Sequence, residues 1–267
     1  MSENLKILIK EKSEKGVLRL VMNNLDYQNA LSNKMMSMLE GEIKGASSDK
    51  SIKVIVLAAK GNVFCSGHDL KEITAARENK DSGEDFYQRL FDSCSALMQL
   101  IVNSPQPIIA EVDGVATAAG CQLVASCDLA IASNESQFAT PGVNLGLFCS
   151  TPMVALSRNV NKKNAMEMLL TGDFINASKA KEIGLINNLV QRERLTLEVT
   201  KLAEKIASKS SMTVSTGKKA FYAQAEMDLS AAYKYTSKTM KDNLLKHDAA
   251  EGINAFLEKR SPTWKNK

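Results

Sequence analysis

The sequence predicts an α/β fold of repeated strand-strand-helix units wound around one core, with a separate all-helical layer at its C-terminal end. Three observations carry that expectation. Buried apolar runs recur along the first two thirds of the chain, and each leads through a Gly-containing loop towards a helical stretch. From about residue 192 onward strand patterns give way to four successive helical ones. The 267 residues are 44% hydrophobic and 24% charged, which is ordinary globular composition at a length that supports one substantial core.

The elements follow in order. LKILIKEKSEKGVLRLVMNN alternates apolar and polar residues on either side of a Glu-Lys-Gly turn, a hairpin signal. Ser32 has the character of an N-cap, and Met35, Met36, Met38, Leu39, Ile43 and Ala46 fall near helical spacing. A buried strand over 52–59 passes through Lys60, Gly61 and Asn62 into VFCSGHDLKEI at 63–73, and a helix follows over about 86–102. The Ser-Pro-Gln-Pro segment at 104–107 stops that helix. IIAEVDGVA at 108–116 then reads as one strand, AGCQLVASC at 119–127 as a short apolar helix, and DLAIAS at 128–133 as another strand. Helices are expected over 195–207, 213–225, 229–245 and 248–259. The chain thus divides into a core at 1–191 and a helical region at 192–267. A tail without strands must bury its apolar faces on the body or on another subunit, so it is the expected oligomerisation region.

Charge and cysteine usage narrow the chemistry. A net charge of +4 tolerates an anionic ligand but gives no argument for nucleic acid. Cys65, Cys94, Cys121, Cys127 and Cys149 are an odd set without a Cys-x-x-Cys pair, accompanied only by His68 and His247. Reduced thiols and no metal site are expected. The N-terminal segment MSENLKILIKEKSEKGVL is charged every few residues and reads as mature protein, and no apolar run reaches the roughly 18 residues of a membrane span. The expected location is cytoplasmic, or the mitochondrial matrix for a processed organellar form.

Two segments could hold a ligand. In CSGHDL at 65–70 small residues lie between a buried strand and a helical turn, where backbone can approach a ligand and helix-initial N–H groups face negative charge. GVATAAGCQ at 114–122 repeats the arrangement. Two such openings could aim two N–H donors at one oxygen and stabilise a developing anion. The plainer alternative for either segment alone is tight strand-helix packing.

VFCSGHDLKEI and IIAEVDGVATAAGCQLVASCDLAIAS resemble, in order and spacing, the two signatures of the crotonase (enoyl-CoA hydratase/isomerase) superfamily. The resemblance extends to NALS at 29–32, FATPGVNLGL at 138–147, LLTGDFINASKAKEIGLINNLV at 169–190 and EGINAFLEKRSPTW at 251–264, and so to essentially the whole chain. It implies a spiral of ββα turns with a helical C-terminal region, assembled as a homotrimer or a dimer of trimers. It also implies an acyl-CoA substrate of fatty-acid metabolism, with no cofactor beyond the coenzyme A of the substrate and no nucleic-acid partner.

Matched residue by residue, the thioester oxygen would lie between the backbone N–H groups of His68 and Ala119. Asn29, Ala30, Ser66, Gly67, His68, Asp69, Leu70, Lys71 and Gly120 would border the CoA, and Lys259 and Arg260 would approach its phosphates. The two glutamates of the hydratases fall on Gln122 and Gly142. A neutral carboxamide orients groups but exchanges no proton near neutral pH.

The pattern also resembles methylmalonyl-CoA decarboxylase, with His68 on its signature histidine and Cys149 on its tyrosine. Decarboxylation needs an oxyanion hole but no strong base in its first step. The readings therefore are a lyase or isomerase of hydratase type, a malonyl-type decarboxylase, and an acyl-CoA-binding protein without catalysis.

Among side chains, His68 stands between a structural and a catalytic role. Asp69 is expected to bond nearby N–H groups, and Cys149 to be either a nucleophile or a pocket wall beside Phe148. Cys121 and Cys127 read as small core residues, and Asp113 and Asp128 as turn and capping groups. The segment 71–85 reads as a solvated surface that could also serve as a lid.

Overall fold

A computed structural model describes residues 7–267; the first six, on which part of the N-terminal reading and the start of the expected hairpin fall, lie outside it. The hairpin is β1 (Leu8–Lys12) with β2 (Val17–Met22), antiparallel. Then follow α1 (Asn33–Ser48), β3 (Val54–Ala59), β4 (Val63–Cys65), α2 (Leu70–Ala76) and α3 (Glu84–Asn103). The next coil holds β5 (Ile108–Val112), β6 (Val115–Thr117) and α4 (Ala119–Ser126). The third begins with β7 (Leu129–Ser133) and β8 (Gln137–Ala139), and continues through α5 (Pro152–Asn159) and α6 (Lys162–Thr171). After β9 (Ile175–Asn176), α7 (Ala177–Glu182) and β10 (Asn188–Val190) come α8 (Leu195–Ala207), α9 (Ser211–Ala225), α10 (Leu229–Leu244) and α11 (His247–Leu257).

Each coil sends its first strand to one sheet and its second to another. The large sheet runs β1-β2-β3-β5-β7-β10, parallel from β2 onward, and the small one runs β4-β6-β8-β9. Alternation along the large sheet explains its two covers. Leu18, Leu20, Met22, Ile55, Leu57, Ile108 and Ala110 join one core with Met35, Leu39 and Ile43 of α1 and Leu90, Cys94 and Ile101 of α3. Val17, Val54, Val56, Ile109 and Ile131 point the other way and meet Leu195, Val199 and Ala203 of α8. On that second face Arg19 pairs with Glu111 at 2.6 Å, and the Thr196 hydroxyl donates to the other Glu111 oxygen at 2.7 Å.

The single strand expected over 108–116 is two strands in different sheets. The break is the Asp113-Gly114 turn, where Gly114 has φ +79° and a Cβ would lie 1.9 Å from the Asn62 carbonyl oxygen. Only glycine fits so close an approach with a positive φ. The Asp-Gly pair is itself a turn signal, but with apolar residues on both sides the two short strands read as one run.

Arg192 ties the coils together. Its guanidinium donates from Nε to Asp113 Oδ2 at 2.9 Å, from Nη1 to Glu135 Oε2 at 3.3 Å and from Nη2 to Asn62 Oδ1 at 2.9 Å. Those partners belong to the β5–β6, β7–β8 and β3–β4 turns respectively.

The expected cap of α1 is present, with Ser32 Oγ accepting from Met35 N at 3.2 Å. Ser32→Ala is expected to lower stability by about 1 kcal/mol in a urea melt. An unchanged midpoint would show that the helix start is held by packing alone.

The four tail helices lie close to where the pattern puts them. Lys218 of α9 donates to Asp128 Oδ2 at 2.7 Å and to the carbonyls of Ile101 and Gln106 at 3.0 Å each, and Tyr222 OH reaches Asp128 Oδ1 at 3.0 Å. Asp128 is therefore an anchor for the tail. No residue of α10 is fully buried, and Tyr233, Met240, Leu244, Leu245, Phe256 and Leu257 stand exposed on α10, at its C-terminal end and on α11. Among the described residues no helix is long and apolar enough to cross a membrane.

Candidate functional site

The two Gly-rich openings meet. Gly67, at φ +99°, follows β4, and a Cβ on it would lie 3.0 Å from Ala118 Cβ and 3.5 Å from Ala119 N. Thr117 at the end of β6 donates its hydroxyl to the Ser66 carbonyl at 3.0 Å. Gly120 closes the gap, since a Cβ there would fall 2.2 Å from the Cys65 carbonyl oxygen. On the other side, Leu31 N donates to Gly67 O at 2.7 Å and Ser66 N to Gln28 O at 3.2 Å.

Ala118 carries the strain of this junction. Its φ of 50° and ψ of −118° are disfavoured for a residue with a Cβ, at a cost on the order of 1–3 kcal/mol. Its N–H donates to Ala139 O at 3.0 Å and its carbonyl accepts from Gln122 N at 3.0 Å, so it is fixed from both sides. The start of α4 thereby lies against the Gly67-His68 turn. An N1 residue has no acceptor within its own helix, and among the described residues the N–H groups of His68 and Ala119 meet no acceptor.

Gln122 is buried in α4, where its Oε1 accepts from the Cys94 thiol at 3.7 Å. The His68 ring lies 5.7 Å from Phe91 in an edge-to-face arrangement, with Nδ1 3.3 Å from the Leu31 carbonyl oxygen. Burial pulls its pKa below the usual imidazole value, against a smaller upward effect of the Leu31 contact.

Cys149 is 7% exposed, and its Sγ occupies the space beside Gly142, 2.8 Å from where a Cβ would stand. Burial pushes its thiol pKa up, partly opposed by a bond from the Gly142 backbone. Burial likewise raises Cys65, Cys94 and Cys121 to about 12, so none of these four thiols is primed as a nucleophile. Phe148, beside Cys149, is half-exposed. Among the described residues no cluster of three or more His, Cys, Asp or Glu could hold a metal ion.

The other sequence candidates are employed as follows. Asp69 caps α2, accepting from Lys71 N at 2.8 Å. Lys71 Nζ lies 4.8 Å over the Tyr27 ring, and Leu70 is exposed. Ala30 is buried beside Asn29, whose side chain is wholly engaged with backbone: Oδ1 accepts from Asn24 N, and Nδ2 donates to Lys60 O and Val63 O. Arg260 forks onto both Glu251 oxygens at 2.7 and 2.9 Å and also bonds Glu258, while Lys259 takes a left-handed φ of 54°. No hydrogen bond or ion pair of the described residues joins Lys259 or Arg260 to the 66–71 turn. Reasoning from sequence missed Leu31, Phe91, Cys94 and Ala118. They lie in other segments or in an ordinary Ala-rich run, and only the fold brings them to the site.

A two-sheet spiral in which the turn after β4 packs against the start of α4 defines a recognisable class. The model for the enoyl-CoA hydratase/isomerase family matches residues 12–267, and the chain belongs to that family. It is 50% identical over 257 residues to rat "Enoyl-CoA hydratase domain-containing protein 3, mitochondrial", covering 96% of this chain and 84% of that one. The crystal structure of the human domain-containing protein 3 superposes with a TM-score of 0.92 at 47% identity, covering 97% of this chain and all of that one. An enoyl-CoA hydratase from Mycobacterium smegmatis gives a TM-score of 0.92 at 45% identity, with 97% and 99% covered. The expected crotonase fold with its C-terminal helices is thus the observed one.

Proposed function

We propose that the protein binds acyl-CoA thioesters and stabilises the thioester enolate between the backbone N–H groups of His68 and Ala119. The supporting observation is the packing of Gly67, next to His68, against Ala118 and Ala119 N at the strained Ala118 junction, with both N–H groups free of acceptors among the described residues. Donors fixed before the reaction stabilise developing charge without reorganisation, each contributing about 10²–10³ in rate. Ser66, Gly67, Asp69, Leu70, Lys71 and Gly120 would line the CoA path. Arg260 would serve a phosphate only by exchanging Glu251 and Glu258 for it.

The chemistry is enolate formation in fatty-acid metabolism, with coenzyme A arriving as part of the substrate. Water addition is not the main reaction, because Gln122 and Gly142 supply no carboxylate. The assembly is a homotrimer or a multiple of it, with the exposed apolar residues of α10 and α11 covered by other copies. The mitochondrial designation of the relatives supports a mitochondrial location over the cytoplasmic one.

Calorimetric titration tests the central reading. An acyl-CoA is expected to bind more tightly than its free acid, since CoA adds phosphate, adenine and pantetheine contacts; equal affinities would overturn the reading. Product analysis over a panel including malonyl-type thioesters separates isomerisation from decarboxylation. Binding without turnover of any member would leave a non-catalytic acyl-CoA carrier. Light scattering that gave a monomer at micromolar concentration would remove the trimer.

A further inference from the structure

We propose that the His68 side chain is the proton carrier of this site, with Nε2 taking a proton from the carbon next to the thioester carbonyl and returning it. The inference rests on the acyl-CoA reading above and adds the acid-base group which that reading lacks.

The first argument is tautomeric. His68 Nδ1 faces a carbonyl oxygen, that of Leu31, at 3.3 Å. A carbonyl only accepts, so Nδ1 carries the hydrogen and Nε2 presents its lone pair. The second is that this lone pair has no partner among the described residues although the atom is shielded from water. A buried acceptor left unpaired costs about 1–3 kcal/mol and calls for an explanation. A substrate proton is one. The third is position: His68 belongs to the turn, packed against the start of α4, whose N–H is proposed to meet the thioester oxygen.

No charged group of the packed elements neutralises the imidazole. Asp69 is turned onto Lys71 N, Glu72 accepts from Asn33, and Lys71 lies over Tyr27. On α3, Asp92 accepts from Gln88 and Cys94 donates to Gln122, while Phe91 is the ring that touches His68. The Cys65 thiol beneath is protonated, its pKa raised by burial to about 12. With the imidazole pKa held below the usual value by burial, His68 is a neutral base at neutral pH. Gln122 and Gly142 cannot exchange a proton, Asp69 is occupied as a cap, and Cys149 is a buried thiol, so His68 is the residue of this set left with an unengaged proton acceptor.

The step balances without a co-reactant. The bond between Cα and hydrogen breaks, and its proton joins the Nε2 lone pair. Its electron pair becomes the double bond between Cα and the carbonyl carbon, while the carbonyl π pair moves onto the oxygen facing His68 and Ala119. Reversal returns a proton to Cα and the imidazole to neutrality.

The experiment is exchange of the α-hydrogens of butyryl-CoA in D2O, read by mass spectrometry, alongside calorimetric binding of the same compound. The intact protein is expected to introduce deuterium, and the rate is expected to fall as pH drops through the His68 pKa, below about 6.5. His68→Gln and His68→Asn, which keep the backbone donor, are expected to lose about 10²–10⁴-fold in exchange while still binding butyryl-CoA. Exchange that survives in either binding-competent variant overturns the proposal. So does binding by the intact protein without exchange. Failure of the intact protein to bind butyryl-CoA would overturn the acyl-CoA reading, and this proposal with it.

Discussion

Gln122→Glu is expected to raise crotonyl-CoA hydration by about 10²-fold or more over the unmodified protein, followed as loss of the enoyl absorbance. The new carboxyl would stand in the first turns of α4 at a position 4% exposed, where desolvation raises its pKa towards the range useful for general acid-base work. It would stand one helical turn from Ala119, one of the two proposed backbone donors. Gly142→Glu is not its equal partner. A Cβ at 142 would lie 2.8 Å from both Cys149 Sγ and the Leu147 carbonyl oxygen, and the carbonyl is backbone that cannot swing aside. The substitution is expected to displace the 147–149 loop, so the double variant should hydrate no faster than Gln122→Glu alone. An unmodified protein that hydrates crotonyl-CoA at an ordinary hydratase rate would show that the missing carboxylates have been replaced in full.

Gly120→Ala is expected to abolish acyl-CoA binding and to cost about 3 kcal/mol or more in a denaturant melt. One methyl group at that position meets the Cys65 carbonyl oxygen at 2.2 Å and Cys65 Cβ at 2.8 Å. Relief requires α4 to move off β4, which parts Ala119 from His68. Gly217→Ala in α9 is the control: nothing lies within 4 Å of its Cβ, and the exchange should be neutral or stabilising by up to about 1 kcal/mol. Equal melts for the two variants would show that the close approach at Gly120 does not hold the helix.

Local signals made much of the architecture legible. Ser32 announces α1 because its side chain acts within three residues, and the tail helices are readable because their apolar faces repeat over several turns. β10, only three residues long, is too short for any period, yet it completes the large sheet. The site shows the same division. The segments that build it stand out as small-residue runs after buried strands. What makes them a site does not: Phe91 is one apolar residue of α3, Leu31 contributes a backbone oxygen, and Ala118 is held by the bond it donates to Ala139 and the one it accepts from Gln122. Asn29 shows the reverse error, a residue in a family motif whose side chain is spent on three backbone groups.

The reach of Arg192 to three turns sets an order of events during synthesis. A ribosome that has released residues 1–191 has delivered every strand of both sheets, yet the Asn62, Asp113 and Glu135 turns still lack the guanidinium that joins them. Two of the three turns carry a carboxylate, so until the next residue emerges they repel one another across adjacent coils. The coils are locked from behind, by chain made after them. Truncation at 191 should therefore yield a spiral that opens at its turns first, with fast amide exchange there while the interior of β3 and β5 remains protected.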